Sequence, residues 1–363
     1  MPQLSAIEAV SPAFERMASM LFRPFRFRTW LKIGFIGWLA GGVAAGNLNS
    51  FNYRMPSRGD FPHGAPDAIA RDASDVMARK LSEAISSFHI GSYLWIIICV
   101  VLLFVVVSLI FLYLYCRFRF ILFDNVITRQ AIIRRGWHQY GSQASRYFIF
   151  WIGYMLLSWA ALAAIVGVPF WHAYKSGAFH GDNALWALFA LIGPVILGLL
   201  LFALISALVR VFAQDFLVPL MALNDIGLGD GWSMIRQMVA REPGAWAGYL
   251  GMKLVLSIVA GIVLSVVLLI TGLFLCLILA IPVAIVIFLG IALIKGAATA
   301  GVVIAIVLFV LAGLACLACL FCLSLVVSAP VVVFFEAYSL YFLGGRYPKL
   351  GALLWPAAPV PAT

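Results

Sequence analysis

Charge is what this sequence has least of: Asp, Glu, Lys and Arg make up 10% of its 363 residues, against 64% hydrophobic residues. A soluble globule of this size clothes its surface with far more polar groups, so a soluble fold is excluded and a bilayer is the expected solvent. Catalytic signatures are missing too, with no Gly-rich phosphate loop, no G-x-S-x-G and no H-E-x-x-H. The six cysteines lay out no disulfide framework. Cys99, Cys116 and Cys276 fall inside apolar runs, and Cys316, Cys319 and Cys322 recur at i, i+3, i+6 in another. A helix cannot wrap a cluster, so the triplet reads as a buried packing stripe of small hydrophobes. His172 and His180, with Asp182, bracket a short loop without further ligands at zinc spacing, and His138 reads as a headgroup contact. No metal, cofactor or reaction is therefore expected. The formal charge of +10 lies beside apolar runs and among Phe and Trp. It points to anionic headgroups and away from nucleic acid.

What the sequence has is apolar length. Runs at about 30 to 48, 93 to 116, 147 to 171, 185 to 209, 245 to 271 and 297 to 328 are each read as a helix crossing a hydrocarbon core of about 30 Å. The expectation is an all-α polytopic membrane protein with about six transmembrane helices in one membrane domain, residues 30 to 354. The stretch 245 to 294 is nearly unbroken. Thr271-Gly272 and Pro282 are its plausible breaks, so 272 to 294 is an additional span, a re-entrant segment or merely a lengthening of the helices around it. Residues 1 to 29 read as a cytoplasmic amphipathic segment, 49 to 92 as an extracytoplasmic loop and 355 to 363 as a disordered tail. Within the loop, apolar positions from Ile69 to Phe88 recur at helical spacing, giving an amphipathic helix over 66 to 90 that could dock a protein partner. Lys and Arg gather around 1 to 32 and 117 to 146, which places those segments, and the N-terminus, in the cytoplasm of a bacterial inner membrane.

A signature also recurs. Gly136-Trp137 is followed by Arg146, Trp151, Gly153 and Tyr154, and Gly231-Trp232 is followed at the same offsets by Arg241, Trp246, Gly248 and Tyr249. Upstream, Phe118, Pro219 and Pro330 each stand six positions before an acid: Asp124, Asp225 and Glu336. A unit of roughly a hundred residues has been repeated, giving three hairpins linked by cytoplasmic amphipathic helices, with the C-terminus also inside. Amphipathic rings favour the depth at which such a segment turns into a span, which suits the Trp and Tyr residues. Gly153 and Gly248 would let helices approach closely. Repeats packed around one axis would turn the three acids toward a common vestibule, with Arg146 and Arg241 as their partners.

The run Val218-Pro219-Leu220-Met221-Ala222-Leu223-Asn224-Asp225, followed by Gly231-Trp232-Ser233-Met234-Ile235-Arg236, resembles a bacterial multi-pass domain. That domain stands at the N-terminus of some glycerophosphoryl diester phosphodiesterases and in many stand-alone membrane proteins of unknown function. The resemblance covers roughly residues 100 to 350 and implies a helical membrane fold. The phosphodiesterase barrel, which needs about 230 residues of soluble sequence, has no counterpart here, so no hydrolase residue is carried over.

Two functions remain. Charges at the edges of spans, aromatic anchors and the outer amphipathic helix favour a non-catalytic scaffold or lipid-contacting accessory subunit. Repeats, prolines near spans and the charges Lys32, Arg210, Asp215, Lys253 and Lys295 favour a secondary transporter for a small solute or ion.

Overall fold

The computed structural model describes residues 4–41, 90–176, 184–296 and 299–355. The described residues form helices in the order α1 (Val10–Leu21), α2 (Phe27–Leu39), α3 (Ile90–Thr128), α4 (Ile133–Gln139), α5 (Gly141–Lys175) and α6 (Ala184–Phe212). A π-helical turn, Ala213–Leu217, leads into α7 (Val218–Asn224), α8 (Leu228–Arg241), α9 (Pro243–Gly296), α10 (Thr299–Gly344) and α11 (Pro348–Leu354). Five of these stretches are long and apolar enough to cross a membrane: Trp95–Thr128, Gly141–Lys175, Leu191–Asn224, Pro243–Ile291 and Val303–Gly344. The reason for helix is the same in each, since only intrahelical bonds satisfy the backbone where water is absent.

The chain divides into two compact units, residues 1–46 with 113–363, and residues 47–112. In the second, the described part is the first half of α3, whose apolar side chains from Trp95 to Phe111 are largely exposed. In the first, burial is concentrated at one level of the bundle. Phe120 and Phe123 of α3, Tyr147 of α5, Phe216 to Met221, Trp246 and Tyr249 of α9 and Tyr338 to Leu343 of α10 are all buried there. Edge-to-face packing holds this layer, with the Phe216 ring 4.7 Å from Trp246 and 5.0 Å from Tyr249, and Trp246 5.4 Å from Phe342. By contrast, the apolar side chains of α6 from Ile192 to Leu208, α9 from Leu254 to Ile291 and α10 from Val303 to Phe321 are mostly exposed, as lipid-facing surface is.

Three expectations change. First, α9 runs without interruption through 54 residues, with no break at Thr271-Gly272 and Pro282 inside the helix, so of the three alternatives 272 to 294 lengthens the helix before it and neither re-enters nor forms a separate span. The Thr271 hydroxyl donates to the Val267 carbonyl at 2.6 Å, closing a local bond in place of breaking the helix. Second, the helix expected over 30 to 48 is Phe27–Leu39, 13 residues or about 20 Å, short of a hydrocarbon core of about 30 Å. It stops where Gly41 takes a positive φ of 73°, the usual left-handed helix end, and 42 to 48 lie outside the described residues. This helix lies hard against α10: a Cβ at Gly34 would run into the Leu325 carbonyl, and one at Gly37 would stand 2.6 Å from Val332 Cγ1. Third, Cys319, Cys322, Cys99 and Cys276 are exposed, Cys316 is half-buried and only Cys116 is buried. The triplet lies on the outward side of α10, so it is no packing stripe.

The outer helix over 66 to 90 falls almost wholly outside the described residues, as do His180, Asp182 and residues 356 to 363 of the tail.

Candidate functional site

Where α6 gives way to the π turn, the wider turn buries Asp215 to 3% exposure in the bundle. Single π turns of this kind recur at functional sites. On α9, Tyr249 and Lys253 stand four apart and share one face. The Tyr249 hydroxyl donates to Asp215 Oδ2 at 2.8 Å, and Lys253 Nζ pairs with the same oxygen. From α3, Arg119 reaches Glu336 Oε2 of α10 at 2.9 Å and Asp215 Oδ1 at 3.6 Å. Its guanidinium also donates to the Gln214 carbonyl at 3.1 Å, while the Gln214 amide donates to the Tyr115 hydroxyl at 2.7 Å.

Four ionisable groups from four elements thus meet where almost no water reaches, Arg119 at 6% and Glu336 at 3% exposure. Two positive and two negative charges cancel. Such groups are costly inside a membrane unless paired, and removing one partner of a buried pair costs about 3–5 kcal/mol. One atom stands out of the pairing: Glu336 Oε1 is buried and has no hydrogen-bond partner among the described residues. Beside it lies a cavity of about 90 Å³ lined by Arg119, Asp215, Lys253, Glu336, Ser257 and Ser328 among others. At about 30 Å³ of liquid volume each, that is space for a few waters or one small solute. Along α9 its wall continues to Leu264, ten residues or about 15 Å past Leu254, where lipid-type exposure begins.

The residues singled out by the repeat fall around this site unevenly. Glu336 is in it, and Tyr249 supports it, stacked on Tyr338 with ring centroids 5.2 Å apart. Asp124 is buried elsewhere, 3.8 Å from Arg135 and accepting from the Tyr140 hydroxyl at 3.4 Å. Burial and the neighbouring Asp124 push that hydroxyl up to about 12. Asp225, in left-handed conformation at the end of α7, is exposed; it pairs with Arg146 at 3.6 Å and accepts from Gln143 at 2.9 Å. The three acids have no partner in common, so the contacts give no shared vestibule, and the acid that faces Glu336 across Arg119 is Asp215. Arg146 meets an acid of the other copy as expected, whereas Arg241 forms no ion pair among the described residues.

Gly153 and Gly248 are exposed, with nothing among the described residues within 4 Å of an added Cβ, so neither serves close helix approach. The tight glycines are Gly136, where a Cβ would stand 3.0 Å from Ile121 Cγ1, and Gly231, where it would stand 2.5 Å from Leu217 Cδ1. Both therefore press a short helix onto the end of the preceding long one. Trp151 and Trp246 are buried in the aromatic layer and not at a lipid interface, Trp151 against Tyr115 and Tyr147 and Trp246 against Phe212 and Phe342. Trp137 is half-buried under the Arg117 guanidinium at 5.1 Å, Trp232 packs on Phe150 at 6.1 Å, and Tyr154 makes ring contacts with Phe150 and Trp151. Arg119 is the residue that pattern reading passes over. Its signal is a charge between Phe118 and Phe120 inside an apolar run, the kind of residue that marks a site in a membrane protein.

The chain belongs to a family of unknown function, DUF7544, which residues 4–353 match. No curated protein and no solved structure matches it. Nothing in the family match bears on the resemblance to the membrane domain of glycerophosphoryl diester phosphodiesterases.

Proposed function

We propose that this member of a family of unknown function is a secondary transporter for a small polar solute or ion, with Arg119, Asp215, Lys253 and Glu336 as its polar centre. The observation that carries the reading is the buried, unpartnered Oε1 of Glu336, a residue that lines a cavity together with buried Arg119 and Asp215 and half-buried Lys253. A carboxylate oxygen left without a donor is suited to a proton, a small cation or a protonated amine, while Lys253 and Arg119 would meet the anionic end of a zwitterion. The wall reaching Leu264 gives such a solute a route toward the apolar level of the bundle.

The proposed setting is a bacterial inner membrane, crossed by the five long apolar helices, with the segment 117 to 146 and the C-terminus cytoplasmic. The basic flanks and the recurring signature support it. Short helices such as α8, which buries Gly231 and Ile235 and exposes Arg236, would lie along the cytoplasmic face.

A second reading has one specific support: the four charges nearly satisfy one another, as a latch joining helices in a scaffold or accessory subunit would. Accessibility separates the two. With the native cysteines replaced, single cysteines at Ser257 and Ser328 should react with a membrane-impermeant maleimide from either face of sealed, oriented vesicles. Reaction from one face only, or from neither, would leave the centre a latch and remove the transporter reading.

A further inference from the structure

A second polar cavity, of about 530 Å³, opens between α1, the turn after it, the end of α3 and α10. Its wall carries three arginines: Arg16 from α1, Arg23 from the turn and Arg129, which sits in left-handed conformation (φ 56°) just past the end of α3. Glu15, Ser19 and Tyr341 complete the polar lining. None of the three arginines forms an ion pair with any described residue, Glu15 included, so three positive charges and one negative leave the cavity with a net positive charge. Like charges gathered without counter-ions repel, and such a cluster is stable when an anion sits among them.

Arg16 makes the point sharply. It is 4% exposed, its guanidinium lies 5.8 Å from the centre of the Tyr341 ring, and its Nε is buried with no hydrogen-bond partner among the described residues. A buried donor on a charged group calls for an acceptor. Guanidinium groups from three arginines offer more donors than a single carboxylate can take up, and suit the several oxygens of a phosphate group.

The surroundings say where the phosphate comes from. Phe14, Phe22, Phe25 and Phe27, all at least half exposed, stand on and just after the helix that carries Arg16. Exposed aromatic rings beside arginines are what a protein presents to the headgroup layer of a membrane. The cavity also exceeds what a bare phosphate ion fills.

We propose that this cavity binds a phosphate group, and that an anionic phospholipid headgroup supplies it. The site is separate from the Arg119 centre, and the proposal stands whichever reading of that centre holds.

The test is isothermal titration of the full-length protein in detergent with dihexanoyl-phosphatidylglycerol and, separately, with inorganic phosphate. The double variant Arg23→Ala, Arg129→Ala alters exposed side chains and should keep the wild-type melting transition. It should bind the short-chain lipid about 30-fold more weakly, from about a fivefold loss per arginine. Arg23→Lys with Arg129→Lys, which keeps charge and loses the fork, should fall between the two. Lipid affinity unchanged in both double variants would overturn the proposal. Inorganic phosphate binding as tightly as the lipid, and lost in the same variants, would make the occupant a free anion and overturn the headgroup assignment. Tight lipid binding with weak phosphate binding supports it in full.

Discussion

The two copies of the Gly-Trp signature have the same frame and opposite chemistry. In the first, Tyr154 makes ring contacts and Ser158 follows it; at the matched places in the second, Tyr249 donates to Asp215 and Lys253 pairs with the same carboxylate. The acids diverge as well. Asp124 is answered from within its own copy by Arg135, whereas Asp225 turns to Arg146 and Gln143 of the first copy, tying the copies together. The difference teaches that a duplicated frame holds position while its charges are free to specialise, and here the second copy supplies Tyr249 and Lys253 to a buried centre that Arg119 of α3 and Glu336 of α10 complete.

That contrast can be broken by substitution. Arg119→Met would leave Asp215 and Glu336 buried as like charges, and should cost about 3–5 kcal/mol of stability, or prevent folding, in detergent unfolding assays. A near-neutral result would mean that Arg119 is not coupled to Asp215 and Glu336. Tyr249→Phe removes a donor to a charged acceptor and should cost about 1.5–3 kcal/mol, while Tyr154→Phe stays within about 0.5 kcal/mol. Equal losses in paired thermal melts would erase the asymmetry.

At the shared frame the copies should behave alike. Gly231→Ala and Gly136→Ala each force a neighbouring side chain aside and should cost about 1 kcal/mol, whereas Gly153→Ala and Gly248→Ala should be neutral or slightly stabilising. The smallest effect lies in pH. The folded state raises the Tyr140 hydroxyl to about 12. Its contribution is therefore complete below its unfolded pKa of about 10 and lost as pH rises toward 12. Tyr140→Phe should flatten part of the alkaline limb of the stability curve, read from melts taken across that range. The second copy carries Ile235 at the matched place, a side chain with no proton to lose, so Ile235→Ala should leave the shape of the pH profile unchanged.

Much of the frame was legible. Hydropathy located α3, α5, α6, α9 and α10, because an apolar run with all backbone bonds made internally has no option but helix. Glu336 was singled out from its spacing to Pro330, and Asp215 and Lys253 as charges beside spans that a transporter could use. Their meeting was not legible, since it depends on the π turn that reorients Asp215, and no residue pattern marks that turn. Arg119 was missed because its neighbours in sequence resemble a membrane boundary. The glycine roles were inverted for a related reason: Gly153 and Gly136 look alike in sequence, and only the packed partner distinguishes them.

The length of α9 carries one more consequence. Its lipid-type surface from Leu254 to Ile291 covers about 55 Å, nearly twice a hydrocarbon thickness of about 30 Å. Tilt alone would have to approach about 60° to hide it, beyond the range of about 0–40° that membrane helices adopt. Hydrophobic mismatch is thus built into this protein. The thickness of the surrounding bilayer becomes a thermodynamic variable for it, and longer acyl chains act as a stabilising ligand spread around its whole perimeter.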